Sequence, residues 1–293
     1  MEELILKDFV EHKMYLLAND RGLSCELADT RCYNDREKGF MSLIRQDVKP
    51  GDIVCDIGAN IGLVTLIMNK LVGKSGRVYA IEPSAVNNVV LCKNVDLNGY
   101  ASRTIVEKFG VSDADGDIIF YNSDKSNLGS CILTKNSSGN TSLISVRSID
   151  SYFNQIRDIP VFYKMDVEGY EAKILLGMRE TLKRSPPKTK ILIEVHPQYY
   201  SEDLNMAFSL REILSIGMHF RYLISAGVAQ PDLFKEKGYK PFKTVNTFGW
   251  SRGIYDNIPS EDAIYFSAYP HNQNCGRKGI SPKIVRAIML EKD

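Results

Sequence analysis

Four ionisable residues in the second half of the chain have the types and spacing of an acid–base site. Asp166 and Glu168 follow one apolar run, and Glu194 and His196 follow the next. Because the carboxyl ends of neighbouring parallel strands meet at one edge of a sheet, we expect these side chains to form one cluster. Histidine titrates near neutral pH, so His196 is the most natural general base. Asp166 or Glu168 would orient it or bind a substrate hydroxyl group.

Each of these residues also has a structural interpretation. Glu168, like Glu171, would be a favourable charge in the first turn of a helix, and His196 before Pro197 would be a capping or packing residue. For Asp166 we favour function, because an acidic residue that ends a central strand is rarely part of the packing. The cluster also has suitable ligands for a divalent metal ion, which stays an alternative. We predict Asp166, Glu168 and His196 as catalytic residues, without a metal site.

A second candidate site is the loop that contains Asp56, Gly58, Asn60 and Gly62. It lies between the apolar run Ile53–Cys55 and an apolar helical pattern, which predicts a strand, a tight turn and a buried helix. Nucleotide-like ligands bind at such junctions in doubly wound sheets. The dinucleotide fingerprint needs a glycine where this loop has Asn60, so a diphosphate is disfavoured. Asp56 would repel a phosphate but would suit an ammonium group.

The type of ligand is narrowed further by Glu82, which follows the next predicted strand, Arg77–Ile81. A carboxylate at about this point of a doubly wound sheet binds a ribose diol. A ligand with an adenosine and no diphosphate satisfies both observations, and S-adenosylmethionine is the commonest one. The alternative is an NAD(P)-dependent reductase on a related sheet. Asn60 disfavours it, as does the lack of a Tyr-x-x-x-Lys dyad after the fourth strand.

The elements that must position these residues alternate between strand and helix five times. This alternation predicts an α/β fold with a doubly wound, mostly parallel sheet. We expect an N-terminal cap segment at residues 1–49, beginning with a helix at Leu4–Phe9. The domain that holds both sites should span residues 50–270, and residues 271–293, which are polar and basic, should form a surface tail.

The 50–270 domain is also expected to contain one irregular segment and a last strand near its end. Residues 115–141 are rich in serine, asparagine and glycine around one strand candidate, Asp117–Tyr121. They are predicted to be a mobile loop over the sheet edge near the substrate, with a disordered surface loop as the alternative. A last strand is predicted at Ala263–Tyr269.

The composition is that of an ordinary globular protein rather than of a membrane or nucleic-acid-binding protein. The chain has 293 residues, 44% of them hydrophobic, and a formal net charge of +1. The six cysteines form no C-x-x-C pair, which disfavours zinc and favours reduced thiols in the cytoplasm. The longest apolar run, residues 61–68, is too short to span a bilayer, and the N-terminus does not resemble a signal peptide.

Five motifs in order then give a specific resemblance. They are the glycine loop at 56–62, Glu82-Pro83, Val111-Ser112-Asp113, the block Lys-Met-Asp-Val-Glu-Gly-Tyr-Glu at 164–171, and Glu194-Val195-His196. Together they resemble the FkbM family of S-adenosylmethionine-dependent methyltransferases over residues 13–197. The sequence departs from the family pattern around Cys32–Glu37 and after residue 200, so the acceptor is left open.

The resemblance implies a class I methyltransferase fold, a Rossmann-like sheet of seven strands with the last one antiparallel. It implies S-adenosylmethionine as cofactor and O-methylation of a hydroxyl on a sugar, glycan, polyketide or similar small molecule. It places Asp56, Gly58, Asn60 and Gly62 around the methionine moiety, and it places Glu82 on the ribose. Asp113 would lie near the adenine. A non-catalytic binding module that keeps the fold is a further alternative.

Overall fold

The computed structural model describes residues 2–29, 37–133, 137–247, 249–274 and 279–293. The strands are β1 Leu4–Asp8, β2 Lys13–Leu17, β3 Ile53–Ile57, β4 Arg77–Ile81, β5 Thr104–Glu107, β6 Gly110–Ser112, β7 Gly116–Ser123, β8 Ser137–Ser148, β9 Phe162–Met165, β10 Lys190–Glu194, β11 Met218–Ser225, β12 Lys243–Thr247, β13 Trp250–Tyr255, β14 Gln273–Asn274, β15 Ile280–Ser281 and β16 Val285–Lys292. The α-helices are Leu23–Ala28, Lys38–Asp47, Leu63–Val72, Ala85–Leu97, Ile149–Tyr152, Glu171–Leu176, Arg179–Arg184, Met206–Leu214, Asp232–Glu236 and Ser260–Ala268. Ala101–Arg103 and Pro197–Tyr199 are short 3₁₀ turns. Of the helices in the described ranges, none is long and apolar enough to cross a membrane.

The main sheet is mixed and mostly parallel, in the order β12-β13-β11-β16-β10-β9-β3-β4-β5. Neighbouring strands from β10 to β5 run parallel, whereas β16 is antiparallel to both β10 and β11. The predicted seven strands are too few, because within the described ranges the sheet has nine. The hairpin β12–β13 adds two strands beyond β11.

Strands in the centre of this sheet are buried on both faces, as expected for parallel strands covered by helices. Every residue of β9 is buried. Successive side chains of β3 point to opposite faces, so Val54 joins one hydrophobic cluster and Cys55 joins the other. The helix Leu63–Val72 is apolar around most of its surface and buries Leu66 and Met68 completely. These two layers fix the positions of the strand ends that carry the site.

The N-terminal residues form a hairpin in place of the predicted helix at Leu4–Phe9. β1 and β2 pair antiparallel, with Leu6 opposite Tyr15. The hairpin contacts the helix Ala85–Leu97 and the residue after it through side-chain amides. Asn94 donates to the carbonyl of Tyr15 at 3.1 Å, and Asn98 donates to that of Lys13 at 2.7 Å. Cross-strand pairing and these amide contacts override the weak helical pattern.

The predicted surface tail at 271–293 is wrong for its last part. Val285–Lys292 forms β16, which lies inside the main sheet, and Ala287 to Leu290 are fully buried. The prediction was based on the polar residues at the start of this segment. The apolar run that follows them pairs with β10 on one side and β11 on the other. The predicted strand at Ala263–Tyr269 is also wrong, because the segment lies in the helix Ser260–Ala268. Glu261 and Asp262 in its first turn favour that helix.

The segment predicted to be a loop, 115–141, contains more regular structure than expected. The strand candidate Asp117–Tyr121 is confirmed as part of β7, which pairs antiparallel with β8. β6 joins them in a separate three-stranded sheet. Residues 134–136 of the predicted loop lie outside the described residues.

Candidate active site

The carboxyl ends of the parallel strands open onto a cavity of about 1300 Å³. Pockets for a single small ligand usually measure about 300–1,000 Å³, so this one has room for two ligands. One end is lined by Gly58, Asn60 and Glu82. The other end includes Asp166 and His196. The two groups of residues singled out in the sequence therefore share one cavity.

The glycine loop needs its glycines for packing. At Gly58, φ is +74°, and a Cβ there would lie 2.1 Å from the carbonyl oxygen of Asp166. At Gly62, φ is +99°, and a Cβ would lie 2.7 Å from a side-chain carbon of Leu91. Asn60 also has a left-handed backbone, with φ of +51°. The loop is thus pressed against the end of β9 and the helix Ala85–Leu97, which keeps its backbone along the cavity.

Asp56 does not line this cavity. It is fully buried, accepts a hydrogen bond from Thr65 at 2.6 Å, and lies 3.1 Å from Nζ of Lys164. Lys164 reaches the cavity wall and donates to the carbonyl of Gly58 at 2.7 Å. Burial lowers the pKa of Lys164, but the charges of Asp56 and Asp166 raise it above the ordinary value. Asp56 therefore holds the loop through Lys164, and its side chain is not part of the wall that would face a cofactor.

Glu82, which is predicted to bind the ribose, is part of the cavity wall. Its side chain lines the cavity, and its two carboxylate oxygens accept backbone N–H groups of Asn60 at 2.8 Å and Ser84 at 2.9 Å. Burial raises its pKa to about 7, although both hydrogen bonds favour the ionised form. Each oxygen can accept another hydrogen bond, so the carboxylate can still bind a ligand hydroxyl group.

The predicted adenine contact, Asp113, is not part of the cavity wall. Its carboxylate accepts from Ser112 Oγ at 2.9 Å and pairs with Lys173, also at 2.9 Å. Gly110 and Val111, from the preceding strand, line the cavity instead. The strand of this motif thus borders the cavity, whereas the Asp113 side chain at its end pairs with a lysine that is not part of the cavity wall.

Part of the segment 115–141, which was predicted to lie over the sheet edge near the substrate, crosses the glycine loop. The carbonyl of Ser126 accepts side-chain N–H groups of Asn60 at 2.9 Å and Asn87 at 3.0 Å. The backbone N–H and the hydroxyl of Ser126 both donate to Asp20, at 2.8 and 2.7 Å. Asp20 belongs to the N-terminal segment, so a distant part of the chain fixes this cover. Such a tertiary contact has no local sequence signal.

The predicted acid–base residues do come together, around His196. Its Nε2 lies 3.2 Å from Glu194, 3.6 Å from Glu168 and 4.0 Å from Asp166. Its Nδ1 lies 2.7 Å from Glu171. Both ring nitrogens therefore face carboxylates, which is the environment of a doubly protonated imidazolium.

This environment contradicts the role of His196 as the base near neutral pH. Burial and the charge of Lys283 lower its pKa, but Glu168 and Glu171 outweigh them and raise it to about 10. Burial raises the pKa of Glu168 to about 7, with Asp166 adding to the shift and His196 opposing it. Near neutral pH, His196 is a proton donor, and Glu168 has the affinity for a proton that suits a base.

Glu168 is held in an unusual backbone conformation. Its φ is +52° and that of Gly169 is +104°, so two successive left-handed residues turn the chain between β9 and the next helix. A non-glycine residue in this region costs about 1 kcal/mol or more and persists only where its surroundings impose it. Ser130 does so by donating to the carbonyl of Glu168 at 3.0 Å. The turn directs Glu168 to the cavity that it lines.

Glu171 is more than a favourable charge at a helix start. It is fully buried and accepts hydrogen bonds from the backbone of Gly169 at 3.0 Å and from the hydroxyl of Tyr200 at 3.1 Å. That same hydroxyl accepts from the backbone N–H of His196 at 3.0 Å. Glu171 was interpreted from the sequence only as a helix-start charge, and Tyr200 was not predicted. The spacing of three residues between Glu168 and Glu171 was a signal for Glu171, whereas Tyr200 had none.

A cationic surface borders the cluster and was also missed. We call Arg252, Lys283 and Arg286 the basic wall; all three line the cavity. Glu194 lies 2.5 Å from Arg286 and 3.4 Å from Lys283. Burial raises the pKa of Glu194, but Arg286 and Lys283 outweigh it and hold that pKa well below its usual range.

The same contacts bear on a metal ion. Asp166, Glu194 and His196 offer ligand atoms within 4.8 Å of one another, so they could hold a cation. In the arrangement seen here, however, Glu194 is already bound to Arg286, and His196 faces carboxylates through both nitrogens. A metal would have to displace these partners, so the donor set does not fit one as it stands.

Comparison with known proteins identifies a family for this chain. A family model described as "Methyltransferase FkbM domain" matches residues 56–240. The curated protein "Hexuronic acid methyltransferase AglP" of Haloferax volcanii is 25% identical over 174 residues, which are 59% of this chain and 68% of that protein. Two solved structures are more distant. One is methyltransferase FkbM from Methylobacillus flagellatus KT, at 22% identity and a TM-score of 0.41, covering 70% of this chain and 43% of that one. The other is a SAM-dependent O-methyltransferase from Thermotoga maritima, at 12% identity and a TM-score of 0.40, covering 87% of this chain and 65% of that one.

The chain thus spans less than half of the length of the Methylobacillus protein. The matched range 56–240 covers more than half of this chain and contains the glycine loop, Glu82 and the whole cluster around His196. It excludes the basic wall. The resemblance found in the five motifs is confirmed: the chain belongs to the FkbM family of methyltransferases.

Proposed function

We propose that this protein transfers a methyl group from S-adenosylmethionine to a hydroxyl oxygen of a small acceptor, a glycan or a sugar derivative. The observation that supports it most is Glu168, a partly buried carboxylate with a pKa of about 7, in the same cavity as the glycine loop. The curated relative is a hexuronic acid methyltransferase by name, which favours a sugar as acceptor.

The residues at the glycine-loop end fit the cofactor. Gly58, Asn60 and Glu82 line it, and we assign Glu82 to the ribose hydroxyl groups, with Gly62 and Asp56 acting through the shape of the loop. When bound, S-adenosylmethionine supplies a methyl group on a sulfonium centre, and the carbon–sulfur bond breaks with its electron pair going to sulfur.

At the other end, the protein has to align the acceptor and take its proton. We assign proton acceptance to Glu168, while the acceptor oxygen forms the new bond to the methyl carbon. Asp166 is assigned to a hydrogen bond from the acceptor hydroxyl group. His196, protonated and held by Glu171, keeps Glu168 and Asp166 ionised through its positive charge until the proton arrives.

Two measurements test this function. Calorimetry should show binding of S-adenosylhomocysteine and not of NAD(H); binding of NAD(H) alone would support the reductase instead. Incubation with cofactor carrying a labelled methyl group and a panel of sugars and glycans should yield a labelled ether. If the cofactor product binds but no acceptor of any class in cell extracts becomes labelled, the non-catalytic module is the better description.

A further inference from the structure

The basic wall lies in the acceptor half of the cavity. Its three side chains are largely buried: 8% of Arg252, 12% of Lys283 and 21% of Arg286 is exposed. They come from β13, from the residues just before β16, and from β16 itself. Three cations from separate elements are thus brought to one wall of a cavity, at a cost in desolvation that packing alone does not explain.

Among the described residues, the wall pairs directly with fewer carboxylates than it has cations, while Asp166 and Glu168 act on Lys283 and Arg286 from a greater distance. In the described part of the chain, its ion pairs are with two carboxylates. Glu37 pairs with Arg252 at 2.6 Å and with Arg286 at 3.0 Å, and Glu194 pairs with Arg286 and Lys283. Burial, and next the charge of Arg286, lower the pKa of Lys283, although the charges of three nearby carboxylates oppose this shift.

Arg252 has hydrogen-bonding capacity left over. A guanidinium group has five N–H donors. Within the described ranges, Arg252 makes one hydrogen bond, from Nη1 to Glu37 at 2.6 Å, and its buried Nε has no partner. A side chain that is more than nine-tenths buried, lines a cavity and lacks most of its partners is a binding group for an anion.

The wall also borders the proposed base. Glu194 contacts Arg286 and Lys283 on one side and Nε2 of His196, at 3.2 Å, on the other. Glu168 lies 3.6 Å from that same nitrogen. An acceptor of sugar size can therefore contact the wall and Glu168 together.

We propose that the acceptor carries a carboxylate, and that the basic wall binds this carboxylate so that a neighbouring hydroxyl group lies at Glu168. This inference rests on the proposed function and names its substrate class: an acidic sugar, whose carboxylate is the anchor and not the methylated group. Arginine is suited to this role because its planar fork matches a carboxylate.

Matched sugars test the inference with the protein saturated in S-adenosylhomocysteine. Calorimetry would compare glucuronic acid with glucose, and galacturonic acid with galactose. We expect at least one acid to bind about 10-fold or more tightly than its neutral counterpart, and the difference to shrink as salt rises. If neither acid binds more tightly than its neutral counterpart, the wall is not an anion site, whatever the result for the cofactor.

Substitutions then locate the effect. Arg252→Gln should lower the ratio of the affinities for the acidic and the neutral sugar by about 10-fold or more, because only binding of the acid is weakened. Lys283→Gln should lower the same ratio. Arg221→Gln changes an exposed arginine on β11 and should leave the preference unchanged. Unchanged binding of S-adenosylhomocysteine reports that each variant is folded. A preference that survives both wall substitutions would overturn the assignment.

The labelled product gives a separate readout. If the carboxylate is the anchor, the methylated product is an ether, which is stable in alkali. With the acidic sugar as substrate, Arg252→Gln should raise KM by a larger factor than it lowers kcat. An alkali-labile methyl ester would show that the carboxylate itself reacts, and would overturn the anchor. Loss of cofactor binding or of all labelling would instead count against the proposed function.

Discussion

Glu171 and His196 contact each other through a 2.7 Å interaction between Oε1 and Nδ1, and both side chains are almost completely removed from solvent. This contact fixes the ring so that Nε2 faces Glu168, Glu194 and Asp166. A buried charge–charge hydrogen bond of this kind is worth more than a neutral one. The electrostatics of the site therefore depend on a residue that does not line the cavity.

The first prediction concerns the charge of His196. In Glu171→Gln, the imidazolium loses a carboxylate partner, so its pKa should fall from about 10 toward the ordinary histidine value. Titration of the ring nitrogens by NMR would measure this. His12, whose pKa burial lowers to about 4, lies in the N-terminal segment and serves as the internal control. An unchanged His196 pKa would show that Glu171 does not set it.

The same variant should also lose stability in a pH-dependent way. The folded-state pKa of His196 is raised, so its contribution to the free energy of unfolding is present below the unfolded value near 6.5 and is lost as pH rises toward 10. Denaturant unfolding at pH 6 and pH 10 should show a larger gap for the parent protein than for Glu171→Gln.

A second prediction concerns the base. Glu168→Gln should lower kcat by about 10²–10⁴-fold, the usual contribution of general base catalysis. In the parent protein, kcat/KM should rise with pH through about 7 as Glu168 loses its proton, and the variant should lose this rise. Glu180→Gln removes a carboxylate that is exposed on the surface, and it should behave as the parent. A variant that retained the parent rate would refute the assignment.

A third prediction separates two residues expected to bind cofactor. Glu82→Gln should weaken binding of S-adenosylhomocysteine by about 10-fold or more, because it removes a buried charged acceptor from the cavity wall. Affinity in the parent should also fall as pH drops below about 7, where Glu82 becomes protonated. Asp113→Asn should have no effect, since that carboxylate pairs with Lys173 outside the cavity. Equal losses in calorimetry would restore Asp113 to the site.

A fourth prediction compares two glycines with similar φ angles. A Cβ at Gly58 would lie 2.1 Å from a backbone oxygen, whereas a Cβ at Gly73, with φ of +66°, would have nothing within 4 Å. Gly73→Ala should cost about 1–3 kcal/mol, because its φ of +66° and ψ of −162° lie in a region that residues with a side chain disfavour. Gly58→Ala should cost about 4 kcal/mol or more, or prevent folding. Chemical denaturation measures both, and similar losses would contradict the close packing of the loop.

The parts of the fold that depend on local pattern could be predicted from the sequence. Strands β3 and β4 are mostly apolar, and their predicted ranges, Ile53–Cys55 and Arg77–Ile81, agree with the structure within two residues. β16 was not found, because its apolar run follows a polar stretch and its place between β10 and β11 depends on long-range pairing.

In the candidate site, too, features that follow from local pattern could be predicted, and features that depend on tertiary contacts could not. That Asp166, Glu168 and His196 lie together follows from the rule for strand ends. The protonation of His196 could not be predicted, because it depends on four carboxylates whose distances are set by tertiary structure. The position of Asp113 outside the cavity wall could not be predicted for a similar reason, since its partner Lys173 lies in another element.

The position of β16 has a consequence for synthesis of the protein. The ribosome releases β10 and β11 well before Val285–Lys292, yet these two strands meet only through it. Until then, both present unpaired edges, which chaperones or another nascent chain could bind. Strands β3, β4 and β5, at the glycine-loop side of the sheet, pair with one another without β16. We therefore expect this side of the sheet to form first. Ribosome-arrested chains of increasing length should gain protease resistance around the glycine loop before they gain it around the basic wall.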